Sequence, residues 1–403
     1  MSTQLNVQIC FFEDEKNVNF QPLTLTRPVD DLRVGIYTIR QKWLHSLGLN
    51  RYSRVLREGL SGVFKRNEID PDKPVLWINS RFLPSNELIS EINGLESGVQ
   101  IEFKGSTAAA LIPADRSIEM FSVNRFESDS LNVKNLSESI HLENVWDLLT
   151  LNSFEISKDL PLTGLRSVKE SGNIEYPGIH HPRNTYVGEN VEIEPGSHIF
   201  AEEGPVILLK GAKIEAGSIL KGPVVIGAGA TVKMGARIYN ATSIGPVCKV
   251  GGEISNCIFH SYSNKAHDGF AGNSIFGQWV NLGADTNTSN LKNNYSAVRM
   301  TNWDTGKEQD TEQQFLGTVM GDHSKTAINT MLNTGTICGV SSNIFMNGFP
   351  PKYIPSFSWV GSPQFGQYDY EKAIDAMKAM MKRRAVSISP EYEAMMYKIY
   401  KDR

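Results

Sequence analysis

Several features are scarce in this 403-residue chain, and each absence argues against a class of protein. No apolar run approaches the ~18 residues that cross a membrane, so a membrane protein is not expected. The net charge of −4 provides no basic face for nucleic acid. The first residues lack the basic segment and apolar core of a secretory signal. We therefore expect a cytoplasmic protein that binds neither membrane nor nucleic acid.

Cysteine is also scarce. The four cysteines are Cys10, Cys248, Cys257 and Cys338, and no two have the spacing of metal ligands. This usage is typical of reduced thiols in a cytoplasmic protein and predicts neither a disulfide framework nor a cysteine metal site.

A six-residue repeat is the strongest pattern in the chain. Every sixth residue from 208 to 250 is Leu, Ile or Val, and the residue four positions later is mostly small. The aliphatic positions are Leu208, Ile214, Leu220, Ile226, Val232, Ile238, Ile244 and Val250. Neither a helix nor an alternating strand has a period of six, whereas a parallel β-solenoid of hexapeptide repeats does. The aliphatic residues should point inward and the small ones should fill the corners.

The repeat extends beyond this run in shifted phases. It begins at Val187, Ile193 and Ile199, and it resumes at Phe270, Phe276 and Leu282. A final run covers Met320, Thr326, Leu332, Cys338 and Ile344. Between 260 and 298 the scaffold is replaced by polar residues. About nine coils are expected from roughly residue 183 to 350, with the polar stretch as a candidate site.

The polar stretch carries a family resemblance. "NKAHDGFAGNSIFGQWVNLGADTNTSNLKNN" and "MGDHSKTAINTMLNTGTICG" resemble the acetyltransferase half of the bifunctional glucosamine-1-phosphate N-acetyltransferase/N-acetylglucosamine-1-phosphate uridyltransferase family. The resemblance implies a left-handed parallel β-helix, acetyl-coenzyme A as cosubstrate, and a homotrimer with active sites between neighbouring prisms.

The resemblance also implies roles for single residues. His267 would be the base that accepts the amine proton, which suits histidine because its pKa lies near neutrality. Asn290 would be the amide near the reacting carbonyl. Phe270 stands where the family has an aromatic residue, usually Tyr, and lacks the hydroxyl. His323 is the rival candidate for the base.

Further residues are candidate ligands. Asn281 matches an asparagine that contacts the sugar, although asparagines also stack inside β-solenoids for structural reasons. Lys265 and Lys292 are candidates for the sugar 1-phosphate, because a phosphate needs cations or oriented N–H groups. Lys325 is a candidate contact for a coenzyme A phosphate.

Residues 1–180 read as an α/β, Rossmann-like sugar nucleotidyltransferase domain. "NVQICFF" and "KPVLWIN" predict buried strands, and "VGIYTIRQKWLHSLG" predicts an amphipathic helix that ends at Gly48. We expect the β-helix over 181–355. Two helices should follow in 356–403, where Ile374, Met377 and Met381 form an apolar stripe.

The N-terminal domain departs from the uridylyltransferase pattern at two points. It keeps "PLTLTRP" and resembles a divergent bacterial subgroup, but no glycine lies between Phe11 and Arg33, where the family has a glycine-rich phosphate loop. Arg81 lies near the position of the family's Mg²⁺-binding Asp, and arginine cannot bind Mg²⁺.

Two hypotheses for this domain remain open. It is either a variant enzyme or a decayed domain that binds a nucleotide sugar or supports the solenoid. In the variant enzyme, Arg27, Arg33 and Lys42 would surround the triphosphate of UTP. The carboxylate for a possible Mg²⁺ would come from Asp14, Asp30 or Asp31.

The leading hypothesis is acetyl-coenzyme A-dependent N-acetylation of an amino-sugar 1-phosphate, coupled to formation of a UDP-N-acetylhexosamine. One alternative is a carbonic-anhydrase-like enzyme with zinc on His260, His267 and His323, although no pair has the expected spacing. The other is a non-catalytic trimeric scaffold that binds a nucleotide sugar. Fold alone cannot decide among them.

Overall fold

The computed structural model describes residues 7–129, 131–172, 176, 178–361 and 365–403. Its contacts divide the chain into two compact units. The first, here called the α/β unit, comprises Met1–Phe20, Arg27–Leu32 and Tyr37–Val145. The second, the solenoid unit, comprises Gln21–Thr26, Arg33–Ile36 and Trp146–Arg403. The finer division at residues 180 and 355 stays a prediction.

The α/β unit contains a six-stranded mixed sheet. In spatial order its strands are Ser53–Arg54, Gln8–Phe12, Val75–Asn79, Ser106–Ile112, Val99–Phe103 and Asn132–Asn135. The first three strands are mutually parallel, and Ser106–Ile112 is antiparallel to both of its neighbours. The helices are Ile39–Leu47, Asn86–Asn93 and Ala114–Ser122, with 3-10 turns at Glu15–Phe20 and Val29–Asp31 and a short strand at Tyr37–Thr38. The predicted α/β fold and both buried strands are confirmed.

Local sequence sets the limits of the helix Ile39–Leu47. Thr38 and Gln41 form a capping box at its start, and Gly48 ends it with φ of 65°, a left-handed conformation that glycine adopts without a Cβ penalty. The predicted end is confirmed. The helix begins later than predicted because Tyr37–Thr38 is extended.

The solenoid unit has three sets of parallel strands that follow one another around each coil. The first set is a nine-stranded sheet of Thr185–Val187, Val206–Leu208, Val224–Ile226, Thr242–Ile244, Ile258–Ser261, Ile275–Gln278, Thr318–Met320, Thr336–Cys338 and Tyr353–Ile354. The second comprises Glu192–Ile193, Lys213–Ile214, Thr231–Val232, Lys249–Val250 and Asn264–Lys265, and further along Lys325–Thr326, Asn343–Ile344, Ser358–Val360 and the antiparallel Phe365–Gln367. The third comprises His198–Phe200, Ile219–Lys221, Arg237–Tyr239, Glu253–Ser255 and Phe270–Gly272, with Asn287–Thr288 and Met331–Leu332 further along.

The hexapeptide prediction is confirmed by the core. All eight aliphatic residues from Leu208 to Val250 are buried in one cluster, and the residues that follow each of them by four positions are buried as well. Close stacking also explains a glycine of the repeat: a Cβ on Gly245 would lie 1.7 Å from the His260 carbonyl oxygen of the next coil. This glycine is required by the approach of two main chains, and not by a special φ.

Two details of the repeat differ from the prediction. Ala271, and not Phe270, points into the core, because the strand pairs Ile254 with Ala271 and leaves Phe270 half-buried on the outer side. The regular coil also persists through Asn287–Thr288, and the excursion comes later, between 289 and 317. The excursion carries an antiparallel hairpin of Arg299–Thr301 and Glu308–Asp310. The change from scaffold to loop is therefore later than composition suggests.

Helices flank the solenoid in sequence. Asp147–Asp159 and Val168–Ser171 precede it, with 3-10 turns at Leu23–Leu25 and Leu160–Thr163 and a short strand at Arg33–Val34. Tyr370–Lys382 and Pro390–Lys401 form the predicted helical tail. Ile374, Met377 and Met381 are buried, as expected for a packed apolar stripe.

Candidate functional sites

His267 lies on the outer surface of the solenoid. It sits between the strands Asn264–Lys265 and Phe270–Gly272, and it is exposed. Its main-chain carbonyl accepts a hydrogen bond of 2.9 Å from Lys265 Nζ. The imidazole is therefore accessible on a corner whose main chain is held from inside.

Phe270 and Asn290 converge above Gly272. A Cβ on Gly272 would lie 2.5 Å from Phe270 Cζ and 2.6 Å from Asn290 Nδ2, so any larger residue would displace the ends of both side chains. Asn290 Nδ2 donates to Asn273 Oδ1 at 2.7 Å, which orients the amide. The structure thus brings together the aromatic ring and the amide that the sequence predicted, next to the coil corner of His267.

Asn281 forms part of an amide ladder. Its Oδ1 accepts from Asn264 Nδ2 at 2.8 Å, and its main chain bridges Asn264 on one side and Lys325 on the other. Lys292 lies in the excursion, half-buried, and donates from Nζ to the Ala297 carbonyl at 3.2 Å. Their proposed ligand roles stay predictions.

The two other candidate lysines direct their ammonium groups to main-chain carbonyls. Lys265 is 1% exposed and Lys325 is half-buried, and burial lowers the pKa of each to about 8. Lys265 Nζ donates to Gly251 and His267 carbonyls, and Lys325 Nζ donates to the His323 carbonyl at 3.0 Å. In this chain Lys265 therefore has no surface directed to a substrate phosphate.

His323 and His260 are buried. His323 Nε2 lies 2.9 Å from Tyr392 Oη, and its ring stacks on Trp279. His260 Nδ1 lies 3.2 Å from Ser261 Oγ and from Gln278 Nε2. Within the described ranges, no three His, Cys, Asp or Glu side chains are grouped so that they could hold a metal ion, and the proposed zinc trio is not assembled.

Sequence reasoning missed a polar cluster beside Phe270. Strand register pairs Glu253 with Phe270, Tyr239 Oη donates to Glu253 Oε1 at 2.6 Å, and Arg237 lies 3.6 Å from the same carboxylate. Arg237 is 52% exposed at its side chain, so it is a cation near the candidate site. The outward position of Arg237 in the repeat could have indicated a ligand contact, but charged residues at outward positions are commonly solvated.

The α/β unit contains a cavity of about 620 Å³ at the carboxyl ends of its parallel strands. Phe12 ends one of these strands and Glu13 and Asp14 follow it; Asn79 ends the next, and Arg57 follows the third. Open α/β sheets bind ligands at this edge. Further lining comes from Gly105, Ser106, Thr107, Asn124, Arg125 and Phe126.

The cavity lining combines polar hydrogen-bonding groups with an aromatic wall. The Phe12 and Phe126 rings stack at 3.9 Å, and Asn79 Nδ2 donates to Asp14 Oδ2 and to the Thr107 carbonyl. Arg57 Nε donates to Glu13 Oε2 at 2.7 Å. Such a lining suits a polar ligand with one flat face.

Arg81 lies behind this cavity in a buried ion pair. Its Nε and Nη2 bind Asp14 at 2.6–3.0 Å, Nη1 donates to the Leu142 carbonyl, and the side chain has no exposed surface. Burial alone would raise the pKa of Asp14, but the hydrogen bonds and charge of Arg81 hold it below its ordinary value. Arg81 also contacts Glu143, which in turn binds Lys16.

The three predicted nucleotide-binding cations do not converge on the cavity. Arg27 and Lys42 are buried in the α/β unit, and Arg27 lies 3.6 Å from Asp31. Arg33 belongs to the solenoid unit, where its Nε donates to the His260 carbonyl at 3.1 Å. None of the three lines the cavity. Their role stays a prediction without support from this geometry.

The carboxylates proposed for Mg²⁺ do not fit that role. Asp14 is bound by Arg81, Asp31 by Arg40 at 3.0 Å, and buried Asp30 lies 3.4 Å from Arg54. Burial raises the pKa of Asp30 to about 6 against the opposing charges of Arg54 and Arg40. Mg²⁺ usually keeps several water ligands and is bound through one or two carboxylates. These three already neutralise guanidinium groups.

Comparison with known proteins finds a family match in the first half of the chain and a match to curated relatives. Residues 9–167 match a family model described as sugar nucleotidyl transferase. A stretch of 184 residues is 27% identical to the bifunctional protein GlmU of Synechococcus elongatus and to that of a second Synechococcus strain. The match covers 44% of this chain and 34% of each relative, so the chain spans about a third of their length.

Solved structures similar to this chain share little sequence with it. A UDP-N-acetylglucosamine acyltransferase from Arabidopsis is 13% identical, with a TM-score of 0.28, over 57% of this chain and 90% of that one. A hexapeptide transferase family protein from Anaplasma phagocytophilum is 15% identical, with a TM-score of 0.24, over 54% and 98%. No described helix is long and apolar enough to cross a membrane. The resemblance stated from the sequence is confirmed: the chain is similar to sugar nucleotidyl transferases over residues 9–167 and to bifunctional GlmU proteins over 184 residues.

Proposed function

We propose that the solenoid unit transfers the acetyl group of acetyl-coenzyme A to the amine of an amino-sugar 1-phosphate. The observation that carries this is the convergence of Phe270 and Asn290 over Gly272, on the strand that follows exposed His267 by three residues. The amine must lose a proton as its nitrogen attacks the thioester, and an accessible imidazole can accept it. The Asn290 N–H groups suit the oxyanion that forms on the acetyl carbonyl.

The phosphate of the substrate needs a cation within reach. Arg237 and Lys292 are the side chains that we propose for it, because both are at least partly accessible and Arg237 pairs with Glu253, which in turn pairs with Phe270. Lys325 keeps its proposed contact with coenzyme A.

The test is an assay of thiol release from acetyl-coenzyme A with a panel of amino-sugar phosphates. Glucosamine 1-phosphate should support release, and the same sugar without its phosphate should react far more slowly. Equal rates with both acceptors would contradict the phosphate part of the proposal. No release with any amino sugar would overturn the acetyltransferase proposal.

For the α/β unit we infer binding of the corresponding UDP-N-acetylhexosamine in the 620 Å³ cavity. Phe126 would stack on a ring of the ligand, and Asn79 and Thr107 would form hydrogen bonds with its polar groups. The exposed Arg125 would pair with the diphosphate. This binding requires no Mg²⁺ on Asp14, Asp30 or Asp31, which are paired with arginines.

Calorimetric titration with UDP-N-acetylglucosamine tests the cavity. Arg125→Ala should weaken binding about tenfold, the loss of one charge-assisted contact. Arg51→Ala, an exposed arginine outside this cavity, is the matched control. Unchanged affinity in Arg125→Ala would show that the ligand does not bind at this cavity. Pyrophosphate release from UTP and N-acetylglucosamine 1-phosphate would separately establish nucleotidyl transfer.

We also propose a homotrimer, because exposed His267 lies on an outer corner where a neighbouring prism can complete the site. Light scattering at micromolar concentration tests this. An active monomer would refute it.

A further inference from the structure

Lys265 occupies a position of the repeat that should be aliphatic. Strand register pairs Val250 with Lys265, and the bridge of Asn264 to Asn281 places Leu282 at the matching position of the next coil. Val250 and Leu282 are both core residues. A lysine with 1% exposure thus stands in the inward column between them. Burying an ammonium group there lowers the stability of the fold, so stability does not explain why a lysine occupies this position.

The ammonium group joins the main chains of two successive coils. Lys265 Nζ donates to the Gly251 carbonyl at 3.0 Å and to the His267 carbonyl at 2.9 Å. Gly251 directly follows Val250, and His267 follows Lys265 by two residues, so both carbonyls belong to the same corner of the solenoid. The corner that carries His267 is therefore fastened from inside the prism to the coil before it.

Lys325 shows that such a hydrogen bond does not require an inward lysine. It also donates to a carbonyl, that of His323, but the inward residue of its strand is Thr326. Lys325 pairs laterally with Asn281 and Asn343. Among the inward positions 232, 250, 265, 282, 326 and 344, only 265 carries a lysine.

We propose that Lys265 is a positioning residue for acetyl transfer: by holding the His267 carbonyl from the core, it sets the orientation of the imidazole toward the substrate amine. This rests on the proposed function, in which His267 is the base. The buried ammonium group lowers the stability of the fold but fixes the geometry of this corner. An aliphatic side chain would fill the same position without burying a charge. Small displacements of a catalytic group are costly, because about 1 Å can reduce a rate 10²-fold.

The central test is Lys265→Met, with Lys265→Leu as a second variant that copies the residue found one coil later. Both should keep a thermal midpoint at or above that of the native protein. The kcat for acetyl transfer should fall about 10- to 100-fold, with the KM for acetyl-coenzyme A nearly unchanged. Amide hydrogen exchange of the segment 266–270 should accelerate, measured by mass spectrometry. Leu282→Met, a volume-conserving change in the same column, should alter none of these quantities.

The outcomes separate the two proposals. If the native protein is active, His267→Ala is inactive and Lys265→Met keeps its kcat within about threefold, the positioning role is overturned while the proposed function stands. If activity falls only in parallel with the thermal midpoint, Lys265 is merely structural and the proposal fails. If the native protein releases no thiol, the proposed function fails, and exchange of 266–270 alone decides whether Lys265 holds this corner: unchanged exchange refutes it.

Discussion

The two units handle charged side chains in different ways. In the α/β unit, candidate carboxylates and guanidinium groups neutralise one another, as in the pairs of Arg81 with Asp14 and Arg57 with Glu13. In the solenoid unit, several of the candidate polar groups are held by main-chain carbonyls or by other amides, as with Lys265 and Asn281. At the coil corner of His267, two main-chain carbonyls accept hydrogen bonds from the ammonium group, whereas the guanidinium groups of Arg81 and Arg57 bind carboxylates. A residue of the right chemical type to bind a ligand can therefore serve a structural role instead, and the kind of structural role differs between the two units.

The largest effect should come from breaking the buried pair of the α/β unit. Arg81→Met leaves the Asp14 carboxylate without its cation, and loss of one partner of a buried pair costs about 3–5 kcal/mol of unfolding free energy. Denaturant unfolding, followed by a probe in the α/β unit, measures this. Lys134→Ala removes the surface pair with Glu91 and should cost less than about 1 kcal/mol. Similar costs for both variants would show that the Arg81 pair is not structural.

The second effect concerns the proposed base in the solenoid unit. His267→Ala should lower kcat for acetyl transfer at least ~100-fold, about 2.7 kcal/mol, while the thermal midpoint is retained because the side chain is exposed. His323→Ala should do the reverse: it removes a buried ring that stacks on Trp279 and bonds Tyr392, so stability should fall and kcat should change less than about tenfold. If the two variants exchange behaviours, His323 is the base.

A smaller effect tests the space above Gly272. Gly272→Ala places a methyl group 2.5–2.6 Å from the Phe270 ring and Asn290 Nδ2, so both must move. We expect kcat to fall about tenfold in the thiol-release assay with the fold retained. Gly366→Ala, where a Cβ meets nothing within 4 Å, is the matched control. A fully active Gly272→Ala protein would show that the position of Asn290 does not matter for acetyl transfer.

The smallest effect is a pH dependence of stability. The pKa of Lys265 is lowered by burial from 10.5 to about 8, so between these values the unfolded chain binds more protons than the folded one. Stability contributed by this residue should therefore rise with pH across that window, by at most about 1.4 kcal/mol per unit. Unfolding free energies at pH 7.5 and 9.5 should show the native protein gaining at least about 1 kcal/mol relative to Lys265→Met. A constant difference would mean that the buried ammonium keeps its ordinary pKa.

Much of the architecture follows from the sequence alone. A six-residue period forces the aliphatic residues from Leu208 to Val250 to the inside, because each coil repeats the same three corners. The two strands Gln8–Phe12 and Val75–Asn79 and the helix end at Gly48 likewise follow from local hydrophobicity and capping. The motif also predicted the approach of Phe270 and Asn290, which meet over Gly272, since a motif preserves spacing along regular coils. The role of His267 beside them stays a prediction.

Only the tertiary structure decided which way Lys265 and Arg81 point. The period that runs to Val250 does not predict an inward residue at 265; pairing with Val250 does, because the intervening coil is shorter than those before it. Arg81 lies 67 residues from Asp14 in sequence, and neighbouring parallel strands bring the two together. Period and local propensity determine which residues are buried, but a partner distant in sequence determines whether a buried charge is paired, and that is decided by strand register.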